Sequence, residues 1–262
     1  MSEMVNSWVL LELNGQQYGI RTEFIQEMVL YGSTSKLPDH PDYVRGVVNL
    51  RGTVIPIIDM RKQLGMIGYM EERDNLIDIF NKREQDHIVW LNELKSSIEE
   101  NREFTLTTDP HACEFGKWYD NYRTENQSLK SLLSKMDAPH RGIHDIDIEI
   151  KDSIENGDTR SAVAIVQNAW NTELSELRSL FQETREMLME STREIIIVTR
   201  LDDFNIGFAV DKVEDVLDIN PEDIEESPKV KNGESSYFIC GLAKVNEDIK
   251  ILLNMESLVK GS

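Results

Sequence analysis

The sequence predicts an α+β multidomain chain in which a β-rich domain is interrupted by a four-helix bundle. Three observations predict it. Apolar residues fall in short strand-like runs from Trp8 to Leu64, recur with a helical period from about Asp74 to Glu190, and return to short runs after Thr192. No Gly/Ser-rich or Pro-rich linker, low-complexity segment or repeat marks either change of character. The centre therefore reads as an insertion in a surface loop, which tolerates added chain when its ends lie close. The expected domains are 1–67 and 192–262 as two parts of one β domain, with 68–191 inserted between them.

Trp8-Val-Leu-Leu-Glu-Leu13 reads as a first strand, turned by Asn14-Gly15, a pair that tolerates positive φ, into a return strand over Gln17–Ile20. Thr22 is placed to cap a short helix running to Met28, with Phe24, Ile25 and Met28 on one face. Strands over Gly46–Leu50 and Thr53–Ile58 follow, and Pro56 suggests an edge or a bulge in the second. Val47, Val48 and Ile55 read as β core.

The first helix carries Leu76, Phe80, His87, Trp90 and Leu94 on one stripe. A second is expected to open at Asp109-Pro110 and to run through Phe115 and Leu132 to about Met136. A third starts near Pro139 and ends at Asn156-Gly157, and a fourth, capped by Asp158, runs through Val166 and Phe181 to Leu188. Four amphipathic helices with short connections make a bundle. Strands over Glu194–Arg200 and Asn205–Val210, then Phe238–Val245 and Ile249–Leu253, form two closing hairpins around Leu201–Phe204 and Asn246–Asp248.

The formal charge is −20, with 40% hydrophobic and 29% charged residues, so the chain is globular rather than disordered. That acidity argues against nucleic acid, whose binding needs a basic face, and against direct membrane binding through anionic lipid. Two cysteines cannot make a disulfide framework, no signal peptide is read before Trp8, and no apolar stretch approaches the roughly 20 residues of a membrane span. The expectation is a soluble cytoplasmic protein.

Four residues stand where a metal could bind. His87 lies on an apolar stripe, Cys113 in the first turn of the second helix, and His140 and His144 form an i, i+4 pair on one face of the third. One thiolate and three imidazoles suit tetrahedral zinc, and bundle cores commonly hold metals. Spacing alone leaves open a set of satisfied core histidines, and His111, two residues from Cys113, is the rival ligand. His40 reads as surface, and Cys240 as buried and inert. His140-Arg-Gly-Ile-His144 lacks the glutamate of zincin helices, and four protein ligands leave no water position, so no catalytic residue is read and the protein is not expected to be an enzyme.

Asp86-His87, Cys113-Glu-Phe-Gly-Lys-Trp118 and His140-x-x-x-His144 resemble the chemoreceptor zinc-binding domain, a four-helix module with one Cys and three His ligands. The resemblance covers roughly 75–190 and implies one zinc ion on His87, Cys113, His140 and His144, with zinc occupancy or cysteine oxidation altering output. The flanks resemble CheW-type coupling proteins, above all in Tyr43-Val-Arg-Gly-Val-Val-Asn-Leu-Arg-Gly-Thr-Val-Ile-Pro-Ile-Ile-Asp-Met-Arg61 and in Phe204-Asn-Ile-Gly-Phe-Ala-Val-Asp-Lys-Val-Glu-Asp-Val216. That resemblance implies two five-stranded β-barrel subdomains and an adaptor at chemoreceptor arrays, bridging the chemoreceptor cytoplasmic tip and the regulatory domain of the CheA histidine kinase. It places Glu27 and Arg51 at the partner-binding surface, where a salt bridge or a turn-capping role is the plainer alternative. The other function considered is zinc buffering by a protein that its β domain merely localises.

Overall fold

β-Branched runs at both ends of the sequence pair with one another rather than with their own neighbours alone. In the computed structural model, which describes residues 6–31, 34–124, 126–190, 194–201, 204–226, 237–245 and 248–260, they form two sheets. The strands are β1 (Ser7–Leu13), β2 (Gln16–Arg21), β3 (Ile25–Tyr31), β4 (Val44–Leu50), β5 (Thr53–Asp59), β6 (Glu194–Leu201), β7 (Phe204–Val210), β8 (Lys212–Asp218), β9 (Ile224–Glu225), β10 (Ile239–Val245) and β11 (Asp248–Leu253). One sheet has the order β8-β1-β2-β11-β10-β9, the other β3-β6-β7-β5-β4. The five-stranded sheet matches the expected strand number, and the other gains the two-residue β9 as a sixth. Ser35 makes a single antiparallel bridge with Val47, so the β3–β4 connection runs back along the outer edge of β4.

The ladders β1–β8, β2–β11, β3–β6 and β5–β7 each join a strand before residue 72 to one after 192. The chain accordingly divides into two compact units, Met1–Glu72 with Thr192–Ser262, and Arg73–Ser191. Within the first, Leu11, Ile20, Ile197, Phe208 and Leu258 share one apolar core, and Val48, Ile55, Ile57 and Val198 share another. Val47 is half-buried. Burying one such side chain contributes about 1.5–3 kcal/mol. A partly buried ion network spans the two sequence halves. Arg61 bonds Asp211 at 2.7 Å and Glu72 at 2.6 Å, while Arg45 holds Asp59 at 2.8 Å and also reaches Glu194.

The second unit contains α2 (Tyr69–Glu99) from Arg73 onward, then α3 (Glu114–Asn121), α4 (Gln127–Glu155), α5 (Thr159–Asn171) and α6 (Glu173–Glu190). Phe80, Leu91, Phe115, Met136, Ile143 and Phe181 are among its buried core. Two short helices, α1 (Met60–Gln63) and α7 (Met255–Lys260), belong to the β unit. Among the described residues no helix is long and apolar enough to cross a membrane.

Some expectations fail locally, each for a physical reason. The helix over Thr22–Met28 is a three-residue 3-10 turn followed by β3, which pairs with the β-branched β6. Second, the chain breaks at Tyr122 to Asn126 rather than near Pro139, because the Asn126 side chain caps α4 at Leu129 N (3.1 Å); Pro139 lies inside the continuous α4. Third, the last expected helix is divided into two at Thr172, whose hydroxyl donates back to the Asn168 carbonyl at 2.8 Å. Pro56 stands in an interior strand, since β5 lies between β7 and β4, but the β7 ladder starts only at Ile57, so Pro56 is on a locally unpaired edge of β5 towards β7. Finally, Cys240 is exposed rather than buried, because it occupies a bulge between Ile239 and Gly241 in the β10–β11 ladder. The hairpin residues Asp202, Asp203, Asn246 and Glu247, and Met1 to Val5, lie outside the described residues.

Candidate metal centre

His87 is on the buried stripe of α2 because its neighbours on that stripe, Phe80, Trp90 and Leu94, need the same core. Its Nδ1 stands 2.7 Å from the Arg83 carbonyl, which accepts the ring N–H and so turns Nε2 inward as an acceptor. His140 and His144, one turn apart on α4, bring their rings to 5.1 Å from each other, and the His87 ring lies 5.1 Å from His140 and 5.7 Å from His144. Cys113 is the N-cap of α3 rather than a residue of its first turn: the sulfur accepts the Gly116 N–H at 3.2 Å. That sulfur also lies 3.2 Å from His140 Nε2. One donor atom from each of these four residues falls within 4.8 Å of the others. His111, the rival ligand, is exposed and pairs with Asp120 at 2.9 Å, outside the cluster.

The site is dry. His87, His140 and His144 are at most 3% exposed, and the rings of Phe115 and Trp90 pack edge-on against His140 and His144 at 4.8 and 5.0 Å. Only Cys113 is half-open to solvent. Burial holds all three imidazoles neutral: His140 is pushed down to about 3 and His144 to about 4, each further lowered by the neighbouring His87, and His87 itself is lowered. Burial raises the Cys113 thiol and outweighs the stabilising N–H groups of Gly116 and Phe115. Without a metal the group is thus a thiol, with the Pro110 carbonyl 3.3 Å away to accept its proton, and the helix terminus alone does not make it a thiolate.

These residues fit a zinc ion. His87 Nε2 and both ring nitrogens of His144 are buried with no hydrogen-bond partner, a costly arrangement that a metal would relieve at His87 Nε2 and at the one His144 nitrogen carrying a lone pair. Tetrahedral zinc with ordinary Zn–N and Zn–S bonds sets its donors about 3.3 to 3.7 Å apart. The sulfur–His140 pair is already close to that spacing. When bound, the ion would supply the positive charge that keeps Cys113 a thiolate. Gly116, quoted in the sequence motif without a role, proves essential to the geometry: a Cβ there would collide with the Pro110 carbonyl oxygen and lie 3.0 Å from His111 Cα.

Glu27 and Arg51 are on the β unit. Glu27 projects from β3, and Arg51 occupies the β4–β5 turn with a φ of 51°. They form a 2.9 Å ion pair in which Arg51 remains 81% exposed.

The profile of the CheW-like domain matches residues 7–95 and 170–262, more than half of the chain. The chain belongs to the CheW-like family. The profile of the chemoreceptor zinc-binding domain matches residues 87–151, between the two CheW-like segments except where it overlaps the first over 87–95. The chain is 30% identical over 74 residues to the chemotaxis protein CheW of Klebsiella aerogenes, covering 28% of this chain and 45% of that one. It is 33% identical over 61 residues to the chemotaxis protein CheW of Bacillus subtilis, covering 23% and 39%. The match to the Helicobacter pylori chemotaxis protein CheW is 27% over 97 residues, covering 37% and 59%. The chain thus spans less than half the length of the first two relatives. Against the crystal structure of the scaffolding protein TtCheW from Thermoanaerobacter tengcongensis, identity is 16% and the TM-score 0.47, covering 98% of this chain and 94% of that one.

Proposed function

We propose that this CheW-like chain is a chemotaxis adaptor that couples the chemoreceptor cytoplasmic tip to the regulatory domain of the CheA histidine kinase. A zinc site inserted in the chain, one ion on His87, Cys113, His140 and His144, modulates the coupling. The observation that carries the reading is the four-donor cluster, buried and short of hydrogen-bond partners, in a chain whose two ends belong to the CheW-like family. Residues 68–191 act as the zinc-binding insert and 1–67 with 192–262 as the coupling domain. The protein works at the receptor array as a scaffold, and its output is a change in affinity rather than a turnover.

Glu27 and Arg51 contribute to the partner surface, where their charges set association more than stability. An open groove of about 630 Å³ on the same sheet, lined by Tyr43, Val44, Val54, Pro56, Ile58 and Phe204 among others, offers apolar area to a partner. A peroxide-class oxidant reaches Cys113 first, because it is the only ligand not fully buried. The sulfur attacks the peroxide, the O–O bond breaks, hydroxide leaves, and the cysteine becomes a sulfenic acid that is a poorer donor. Three neutral imidazoles then hold the site more weakly.

The test is capture of the full chain on a receptor-tip fragment and on the kinase regulatory domain, with zinc, with a chelator, and after peroxide. Capture by both partners that changes with zinc state supports the reading. Capture by neither sinks the coupling role, and capture indifferent to all three treatments sinks the modulation. A buffer would need many ligand sets, and one such cluster is found among the described residues.

A further inference from the structure

Trp90 sits one helical turn beyond His87 and is 5% exposed, which its size and apolar surroundings explain. Its polar atom is another matter. The indole N–H donates at 2.8 Å to the carbonyl of Thr107, seventeen residues on, in the irregular segment between α2 and α3. From there bonded groups lead directly to the sulfur. The Asp109 N–H donates to the Thr107 hydroxyl at 3.3 Å. The Asp109 carboxylate and carbonyl then accept from His111 N and Ala112 N at 2.9 and 3.0 Å. Cys113 follows. On its other side, the Trp90 ring lies 5.0 Å from His144 and 5.1 Å from Phe104, both nearly edge-on. One side chain therefore braces an imidazole of the cluster and moors the segment that carries the thiol.

We infer that Trp90 is a positioning residue of the metal site: its N–H, through Thr107 and Asp109, fixes where the Cys113 sulfur stands relative to the three imidazoles. The inference rests on the zinc reading above. The three histidines ride on long helices whose cores hold them, whereas Cys113 ends a segment of irregular backbone, so the sulfur is the ligand most in need of a mooring. A lost outer partner of a metal ligand typically weakens metal binding by about 10- to 100-fold. The effect should appear in release, since the sulfur is also the solvent-facing ligand.

The experiment uses the full chain carrying Cys240→Ser, so that Cys113 is the sole thiol. Zinc transfer to an excess of chelating dye and alkylation of Cys113 in the zinc-loaded protein are timed for the parent, Trp90→Phe and Asp109→Ala. Phe keeps an aromatic ring and removes the N–H; Asp109 is exposed, so losing its carboxylate cuts the bond from His111 N without disturbing the core, while its backbone bonds to Thr107 and Ala112 remain. Zinc release and alkylation at least about tenfold faster in both variants, with metal-free unfolding of Asp109→Ala unchanged, are the expected results. Trp90→Phe releasing zinc like the parent overturns the inference. So does acceleration confined to Trp90→Phe together with a lower unfolding midpoint, which would mark a packing role only. A parent that binds no zinc overturns the zinc reading itself, and this inference with it.

Discussion

Gly116→Ala is the smallest change that should disable the metal centre. The new methyl would collide with the Pro110 carbonyl oxygen, and would lie 2.9 Å from the Pro110 carbonyl carbon and 3.0 Å from His111 Cα. Carbon atoms rest about 3.5 to 4.0 Å apart, so the Pro110–His111 backbone must retreat by at least half an ångström. Cys113 is two residues further on, and its sulfur is the group capped by the Gly116 N–H. A metal–ligand bond tolerates only about 0.2 Å, so the displaced sulfur cannot keep its place. Zinc affinity should fall about 100-fold, roughly 2.7 kcal/mol. Gly142→Ala is the control: its Cβ meets only the Glu173 side chain, nearest at the flexible Cγ, 2.7 Å away, and a mid-helix alanine favours the helix by about 1 kcal/mol. Competition of each purified protein against a chelator of known affinity reads both. Zinc affinity in Gly116→Ala within threefold of the parent would refute this account of how the sulfur is held.

Four shorter predictions follow from the same structure. Cys113→Ala should lose zinc affinity and peroxide sensitivity, while Cys240→Ser keeps both; a zinc titration before and after peroxide decides it. Because burial holds His140 near 3 and His144 near 4, the imidazoles are already neutral at pH 7 and only the Cys113 thiol must give up a proton. Zinc binding should therefore weaken as pH falls, by about tenfold per unit between 7.5 and 5.5, and release about one proton; titration calorimetry in two buffers measuring two or more would contradict it. Arg61→Met should cost about 3 kcal/mol by leaving the half-buried Asp211 without its buried cation, against about 1 or less for Arg51→Met at the surface, as read by urea unfolding. Replacing residues 73–191 with a short Gly linker should leave a folded β unit, because four of its ladders join the two sequence halves; loss of the β signal in circular dichroism would count against a discontinuous domain.

Strong periods were legible in the sequence, and weak local signals were not. The β-branched runs Glu194–Leu201 and Thr53–Asp59 and the apolar stripe of α2 each report one environment along their whole length. β3 was misread because Glu27 interrupts its apolar alternation, occupying a half-buried position stabilised by Arg51 across the sheet. That compensation is twenty-four residues away and leaves no local trace. β8 was missed for a related reason: Lys212-Val-Glu-Asp-Val-Leu-Asp218 is mostly polar, yet it completes a sheet edge against β1. Pro139 read as a helix start, but the packing of Met136, His140 and Ile143 on the same face keeps α4 continuous through it.

At the metal centre, residue identity was legible and protonation was not. The i, i+4 histidines follow from spacing, because helices fix which side chains share a face; Cys113 was placed at the right helix end but inside the first turn, whereas it caps α3. A helix N-terminus suggests a thiolate, and two backbone N–H groups do favour one here. They are outweighed because the same packing that shields the imidazoles removes water from the sulfur, so desolvation, a property of the whole unit, sets the metal-free state. The consequence is a site poised by its own burial: neutral imidazoles and a protonated thiol repel no cation and require only one proton to leave on binding. An anionic thiol in the empty site would instead leave a reactive nucleophile half-exposed whenever zinc was scarce. On the reading proposed above, a protonated thiol would resist oxidation, and a thiolate held by zinc would be the species open to peroxide.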